Sequence, residues 1–456
     1  MEATGDKSGP AKLDEIKELL GKLSVDLTEK RLSSKERESL LGHLKVYGRS
    51  VQFADPIYSK MGIEVLAAHA FKAHNESGAR REALRCIANA LLLKEQCRTY
   101  LAELDYAPRL AEYLNTDNSD DEFLASRILF LLTYGTTVDY DALVRKHNLA
   151  ANINQCLARH AKLYQAAKPL SLMDNMALGD TCKLLFNITH FSTSIVPDFS
   201  AAVPSLVGIL LAPNPPRKPL DQPRSGVINA LLNLDLNDAA SIGALFPSSN
   251  PTSVVDRLAN ILSSALTNYP ESELEQIVTP AVSLLRNVYM HAPDAVKASV
   301  QASLLPSDAD RTKPLGKGDG LSSRLLRLTT SASMPTLRNS VSFLLFEVSD
   351  SDPATFVQNI GFGYASGFLM SQNLPVPDMG SGAGTDRVGA AINPVTGQRL
   401  DAEPGPPDVE MTMEEKEREA ERLFVLFERL KATGVVDVRN PVEQAVQEGR
   451  FEEMSD

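Results

Sequence analysis

The stretch Leu84-Arg85-Cys86-Ile87-Ala88-Asn89-Ala90-Leu91-Leu92 decides the fold, because similar stretches recur along the chain. Each copy is apolar on most faces, and most carry one or two Arg, Lys or Asn residues on a single face. The later copies are 126–132, 182–189, 227–234, 284–289 and 337–345. The aligned positions are 42, 56, 46, 54 and 52 residues apart: Asn89, Leu131, Asn187, Asn233, Asn287 and Asn339. A helical pattern that recurs every ~40–50 residues is typical of armadillo and HEAT repeats.

The composition fits stacked helices. Of 456 residues, 43% are hydrophobic, 6% are aromatic and none is Trp. In a repeat array each unit packs only on its neighbours, so one long chain needs no single large core. We therefore predict an all-α, armadillo/HEAT-like, right-handed superhelical solenoid with a flexible C-terminal tail that carries an amphipathic helix.

The net charge and the cysteine content limit the partners and the cellular compartment that can be expected. The net charge of −12 argues against nucleic acid as the main partner, since phosphate binding needs a basic surface. The four cysteines, at positions 86, 97, 156 and 182, form no Cys-x-x-Cys pair. We expect reduced, buried thiols in a cytosolic protein. No apolar run reaches ~18 residues, so no integral membrane segment is predicted.

Composition also predicts the domain organisation. Residues 1–370 are predicted to form the solenoid, with 1–12 disordered and with Pro- or Gly-rich insertions at 212–225 and 305–321. Residues 371–411 are predicted to be a flexible Gly/Pro-rich linker. Residues 412–456 are predicted to be an acidic tail, with an amphipathic helix at 412–433 that begins with a capping box at Thr412–Glu415 and a short last helix from Asn440-Pro441. The negative charge is concentrated at this end of the chain, since residues 401–456 contain 16 Asp/Glu against 7 Lys/Arg. The tail helix either wraps a partner or folds back as a cap on the solenoid.

Catalytic signatures are weak, so we predict no enzyme, no catalytic or metal-binding residues and no cofactor. The stretch 361–367 resembles a dinucleotide-binding loop, but it has one residue too many and no strand before it; a turn between helices explains it better. The stretch 316–320 lacks the P-loop spacing. The seven histidines show no metal-ligand pattern.

The polar residues of the recurring helix are the better candidates for function. An Asn amide can bond a bound peptide backbone, and an Arg can hold a carboxylate with two parallel hydrogen bonds. The predicted partner-binding groove comprises Arg85, Asn89, Arg127, Lys183, Asn187, His190, Asn229, Asn233, Arg286, Asn287, Arg338 and Asn339. The alternative is that the Asn residues bond neighbouring repeats and the Arg residues face solvent.

Several strings resemble the synembryn family, also called resistance to inhibitors of cholinesterase 8, in a fungal form. They are Asp55–Tyr58, Ala83–Leu91, Asp120–Thr133, Leu184–Phe191, Asn229–Leu234, Ile392–Gly397 and Met413–Gly434. The resemblance covers roughly residues 40–445 and implies an armadillo/HEAT-like superhelix. It also implies a guanine nucleotide exchange factor and folding chaperone for heterotrimeric G-protein α subunits. Such a factor binds the GDP-bound subunit, expels GDP and holds the nucleotide-free state until GTP binds.

The resemblance leads to a mechanism as a hypothesis. The groove captures the C-terminal helix of the α subunit, and the tail helix covers exposed apolar surface through Leu423, Phe424 and Phe427. We expect a cytoplasmic monomer, with recruitment to the membrane periphery or cell cortex through the partner left open. Ser381 and Thr385 lack the acidic context of the phosphorylation sites in animal members. The alternative function is a passive armadillo-repeat adaptor without exchange activity.

Overall fold

The computed structural model describes most of the chain. The described residues are 8–71, 77–166, 169–213, 217–377, 384–385, 391–393, 395–403, 412, 415 and 418–425. The predicted last helix at Asn440-Pro441, the tail residue Phe427 and Ser381 lie outside them.

Twenty α-helices dominate the described residues, which confirms the all-α prediction. In chain order they are α1 Pro10–Glu29, α2 Ser34–Tyr47, α3 Lys60–Phe71, α4 Ser77–Leu93, α5 Gln96–Glu103, α6 Ala107–Tyr113, α7 Ser119–Leu132, α8 Tyr140–Lys146, α9 Leu149–Gln165, α10 Leu172–Phe191, α11 Ala202–Leu210, α12 Arg224–Leu232, α13 Ala239–Leu245, α14 Ser253–Asn268, α15 Glu271–Met290, α16 Asp294–Leu304, α17 Leu321–Thr329, α18 Pro335–Val348, α19 Pro353–Ile360 and α20 Phe362–Ser371. Three short 3-10 helices lie at Thr193–Phe199, Asp310–Thr312 and Leu400–Ala402. The only described strands, β1 Gly384–Thr385 and β2 Ala391–Ile392, form one antiparallel pair.

The contacts divide the chain into two compact units. Unit 1 is Met1–Ser303 with Ser333–Leu344, and unit 2 is Leu304–Ala332 with Leu345–Asp456. This division does not coincide with the boundary near residue 370 drawn from composition, and that domain assignment stays a prediction.

Unit 1 is a double row of helices. The first row, called here the ladder row, packs in the order α2, α4, α7, α10, α12 and α15. The second row packs beside it in the order α1, α3, α5 with α6, α9, α11 and α14. The recurring stretches of the sequence are the ladder-row helices α4, α7, α10, α12 and α15, with α18 after them. The layer between the rows is filled mainly by Leu, Ala, Ile and Val side chains.

Local sequence explains where the ladder-row helices begin. Ser33 and Glu36 form a capping box at the start of α2, in which each side chain accepts from the other's backbone N–H. Asn118 caps α7 by accepting from the N–H groups of Asp120 and Asp121, at 3.0 and 3.2 Å. Three acidic residues in that first turn complement the positive end of the helix dipole.

The N-terminal helix α1 extends into the segment that was predicted to be disordered. It begins at Pro10, so residues 10–12 are helical. Proline suits the first turn of a helix, because its missing N–H would have no intrahelical partner there. The buried Lys12 ammonium donates to the carbonyls of Ser50 and Gln52, at 3.2 and 2.8 Å, and so ties this first turn to the segment after α2.

The connections agree with the sequence in three places. No α-helix occupies the described part of 212–223 or the stretch 305–320, where Pro and Gly cluster. In the stretch 361–367 only Gly361, with a φ of 82°, forms the turn between α19 and α20, and residues 362–367 belong to α20. All four cysteines are buried free thiols, and burial raises the pKa of each; that of Cys97 rises to about 11.

Among the described helices, no single one is long and apolar enough to cross a bilayer. One pair, Thr193–Phe199 with Ala202–Leu210, reaches the required length and composition only when taken together, and it is bent by 71°.

A buried ionic network joins α7, α9 and α10. The carboxylate of Glu122 is fully buried and accepts from Arg159, from His160 Nε2 at 3.0 Å and from Thr181 Oγ1 at 2.7 Å. The hydroxyl of Thr181 also lies 2.9 Å from that of Ser126. A buried charge is tolerated only when its partners satisfy it, so this network fixes how the two rows meet.

Glu122→Ala should therefore destabilise the protein strongly. It removes the carboxylate on which the buried His160, the partly buried Arg159 and Thr181 converge, which costs about 3–5 kcal/mol of unfolding free energy. The control is Glu112→Ala, since Glu112 also faces a histidine, His147 at 3.3 Å, but is largely exposed. We expect a change within about 0.5 kcal/mol there. Urea unfolding of both variants measures the difference, and equal losses would contradict the assignment.

Candidate functional site: the ladder face

Two ladder-row helices, α7 and α10, run parallel. Four side-chain bonds join them from their N-terminal to their C-terminal ends: Ser119 with Asp174, Ser126 with Thr181, Arg127 with Asp180 and Thr133 with Asn187. Asn233 of α12 then donates to the carbonyl of Phe186, at 2.9 Å. Side chains at equivalent positions therefore line up across successive helices on one surface, called here the ladder face.

The N-terminal and middle turns of α4, α7 and α10 carry a polar zone of paired charges. Its members are Arg81, Glu82, Arg85, Asp120, Asp121, Arg127, Asp180 and Lys183. Arg85 donates to Glu82 and to Asp120, both at 2.7 Å. Arg127 and Lys183 both donate to Asp180, at 2.7 and 3.0 Å. Arg85 and Arg127, which were predicted to hold a partner's carboxylate, are thus already bonded to carboxylates of the neighbouring helix, and Lys183 is bonded to a carboxylate of its own helix.

The predicted asparagines divide into two groups. Asn187 and Asn233 bond across neighbouring helices, to Thr133 Oγ1 at 2.8 Å and to the carbonyl of Phe186, as the alternative interpretation of the sequence requires. The others lie at the surface of their helices, partly or largely exposed: Asn89, Asn229, Asn287 and Asn339.

The remaining predicted groove residues occupy the later helices. Arg286 lies over the ring of Phe343, 5.1 Å from its centroid, and so links α15 to α18. Arg338 is half-buried in α18. His190 is exposed near the end of α10 and stacks on Phe186, with ring centroids 5.8 Å apart. None of the predicted groove residues lies outside the described part of the chain.

Sequence reasoning missed an apolar edge on this face. It follows the polar zone at the C-terminal ends of the helices and comprises Leu92, Leu93, Phe130, Tyr134, Phe186, His190, Phe191 and Met290. Four of these residues are exposed and lie at equivalent positions of the sequence repeat, three residues after the position of Asn89 and its counterparts: Leu92, Tyr134, His190 and Met290. Tyr134 and Phe130 form an edge-to-face pair with centroids 5.4 Å apart.

The edge follows from helix geometry. Arg127 and Phe130 are spaced i and i+3 on α7, and Lys183, Phe186 and His190 are spaced i, i+3 and i+7 on α10, so each set shares one side of its helix. Tyr134 lies just beyond the end of α7 and contacts Phe130. Each of these two helices thus presents a cation first and an aromatic pair after it. Contiguous exposed apolar surface beside polar groups is typical of an interaction site. The sequence alone contained a signal for this apolar edge. Aligning the positions three residues after Asn89 and its counterparts would have revealed the recurring large side chains.

The comparisons with known proteins assign the family. A family model described as guanine nucleotide exchange factor synembryn matches residues 40–450. The chain belongs to the synembryn family. A "Synembryn-like chaperone" of Schizosaccharomyces pombe is 27% identical over 369 residues, covering 75% of this chain and 68% of its own. "Chaperone Ric-8A" of Rattus norvegicus is 28% identical, covering 91% of this synembryn-family chain and 85% of its own.

A solved engineered protein covers 75% of this chain at 16% identity, with a TM-score of 0.37. The helical fold of this synembryn-family chain is established by its own hydrogen-bonded helices.

The polar zone generates a pH-dependent prediction at Asp121. Burial raises the pKa of this carboxyl, but hydrogen bonds from Arg81, at 2.6 and 2.9 Å, and from Tyr113 outweigh it and hold the pKa below its ordinary value. The pKa of Asp121 is therefore lower in the folded protein than in the unfolded chain. The ionised carboxylate stabilises the fold at pH values above the unfolded pKa of about 4, and this stability is lost as the pH falls through the folded pKa.

Asp121→Asn should thus lose about 1.5–3 kcal/mol of unfolding free energy at pH 7. The deficit should stay constant down to about pH 5 and shrink below about pH 4, where wild type also loses the charge. Urea unfolding at a series of pH values measures it. A deficit that grows on acidification would contradict the pairing with Arg81.

Proposed function

We propose that this chain is a guanine nucleotide exchange factor and folding chaperone for heterotrimeric G-protein α subunits. The observation that carries the proposal is the synembryn family match over residues 40–450, whose description is that of an exchange factor. The word chaperone in the names of its relatives supports the second role. The chain needs no covalent chemistry for either role, because exchange requires only that it bind the empty α subunit better than the GDP-bound one.

The ladder face is the proposed site of capture. An amphipathic helix, such as the C-terminal helix of an α subunit, has one apolar side and one polar side. Its apolar side would lie on the apolar edge, where Tyr134, Phe191 and Met290 are exposed. Its polar side would face the polar zone. Capturing that helix removes its support from the guanine-binding loop, so GDP leaves.

The paired charges change how a partner's carboxylate would be recognised. Arg85 and Arg127 each hold a carboxylate of this chain, so a partner's carboxylate has to compete with Asp120 or Asp180. Such competition contributes specificity rather than large affinity. We therefore assign most of the binding free energy to the apolar edge and a selective role to Arg85, Arg127 and Lys183.

The tail helix has a second proposed role. Thr412 and Glu415 form the predicted capping box, and residues 418–425 are helical. Leu423 and Phe424 are 42% and 41% exposed, so they present apolar surface to a partner. Covering the interior of an opened α subunit with this helix would join exchange to chaperoning. We place the protein in the cytoplasm, with its partner as its route to the membrane periphery.

Exchange itself is tested by the release of labelled GDP from a purified α subunit with a substoichiometric amount of this protein. We expect release to be faster by about tenfold or more, which requires lowering the barrier by about 1.4 kcal/mol. A nucleotide-free complex that GTP dissolves should accumulate. Binding without faster release would instead indicate a passive adaptor and would contradict the proposed exchange activity.

The apolar edge is tested by two substitutions at opposite ends of α10. Phe191 is 65% exposed at the C-terminal end, and Leu172 is 76% exposed at the N-terminal end. Phe191→Ala should weaken binding of the α subunit about tenfold or more, since buried interface aromatics contribute about 2 kcal/mol or more. Leu172→Ala should leave it within about twofold.

Both substitutions remove exposed side chains, so unfolding free energies should change by less than about 0.5 kcal/mol. Titration calorimetry measures the two affinities on folded proteins. Equal affinities for both variants would remove the apolar edge from the proposed site.

A further inference from the structure

Part of the segment predicted to be a flexible linker is docked on the helical part of unit 2. Residues 391–393 and 395–403, called here the strap, exchange backbone hydrogen bonds with two elements of that unit. The N–H of Leu315 donates to the carbonyl of Thr396 at 3.1 Å, and the N–H of Gly363 donates to that of Val395 at 3.2 Å. The loop before α17 and the start of α20 therefore hold the strap from two sides.

Arg311 locks this arrangement. Its guanidinium is 5% exposed and donates from Nη1 to the carbonyl of Gly397, at 2.9 Å. From Nη2 it donates to the carbonyls of Gln358 and Asn359, at 3.1 and 2.8 Å. Those two carbonyls belong to the last turn of α19, where a helix has unpaired acceptors and the negative end of its dipole. One buried cation thus joins the strap to a helix end.

The strap sequence is shaped for this position. Asn393 Oδ1 accepts from the N–H groups of Val395 and Thr396, at 2.9 and 3.2 Å, which closes a tight turn. Gly397 has a φ of 66°, and a Cβ there would lie 2.4 Å from Leu315 Cδ1. Only glycine satisfies both the backbone conformation and the close approach. Ile392 and Gln398 are buried as well.

Docking of the strap shortens the tether of the tail helix. The helix begins at the Thr412 capping box, so only the eight residues 404–411 separate it from the strap. Eight residues span at most ~30 Å when fully extended, whereas the 41 residues 371–411 could span ~140 Å. The tail helix is thus confined to within ~30 Å of the strap and is not distributed over the whole reach of a 41-residue linker.

We propose that the strap is a positioning element that anchors the tail helix to unit 2, with Arg311 as the positioning residue, so that the helix meets a bound α subunit at high effective concentration. This inference rests on the proposed function for its activity readout. It assigns a role to the Asn393–Gly397 string and to Arg311 that acts through the tail helix rather than by touching the α subunit.

Two insertions of the same length test the proposal. About 20 Gly/Ser residues inserted between Pro406 and Pro407 lengthen the tether from eight to about 28 residues, which lowers the effective concentration about sixfold. We expect the part of GDP release that depends on the tail to fall by that factor. The same insertion between Gly382 and Ala383 lies before the strap and should change nothing, because the strap fixes the origin of the tether.

The two insertions also separate the alternatives. A free 41-residue linker would respond equally to both, with a loss of about twofold each. Equal losses, or no loss in either variant, would overturn the positioning role. Arg311→Met should make the two insertions equivalent by releasing the strap.

Amide hydrogen exchange tests the strap without any α subunit. The N–H groups of Leu315, Gly363, Gly397 and Arg399 should exchange slowly in wild type and in both insertion variants. In Arg311→Met they should exchange faster. Fast exchange at all four in wild type would overturn the strap itself. Slow exchange in a protein that does not accelerate GDP release would overturn the proposed function and leave the strap in place.

Discussion

The parallel packing of the ladder-row helices α7 and α10 is the constraint on which the rest of unit 1 depends. Apolar side chains alone would let neighbouring helices slide, because Leu, Ala and Ile make non-directional contacts. The polar pairs between α7 and α10, from Ser119–Asp174 to Thr133–Asn187, join residues 53 to 55 positions apart and so hold the two helices close to one offset. The fully buried Glu122 ties that offset to the second row through Arg159 and His160. Register is what turns scattered surface residues into a continuous ladder face.

The same pairing determines what the face offers to a partner. The protein carries a net charge of −12, and its ladder-face cations Arg85, Arg127 and Lys183 bond to carboxylates of their own chain. The face therefore does not act as a basic surface in search of an anion. The part of the face that stays exposed is the apolar edge at the helix ends. This edge suits a partner helix that also has an apolar side to bury.

The sequence predicts the repeat and its polar positions well, because helical periodicity is a local property. The capping box at Thr412 and the turn at Gly361 are confirmed for the same reason. The predicted burial of the cysteines is confirmed as well. The pairing of Arg127 with Asp180 was not predicted, since the two residues are 53 positions apart and only the helix offset brings them together. The strap was missed because Gly- and Pro-rich composition suggests a linker, whereas buried Arg311 supplies hydrogen bonds that composition cannot reveal.

The proposed exchange requires this protein to bind the nucleotide-free α subunit more tightly than the nucleotide-bound one, and equilibrium binding tests this most directly. The measurement is the dissociation constant of this protein for one α subunit in three states: nucleotide-free, GDP-bound and GTP-bound. The account predicts that the nucleotide-free subunit binds about 100-fold more tightly or better than either loaded form, a difference of about 2.7 kcal/mol. Linkage then requires that the protein weaken GDP binding by the same factor. Equal affinities for the three states would contradict the account, because a protein that binds all states equally cannot expel a nucleotide.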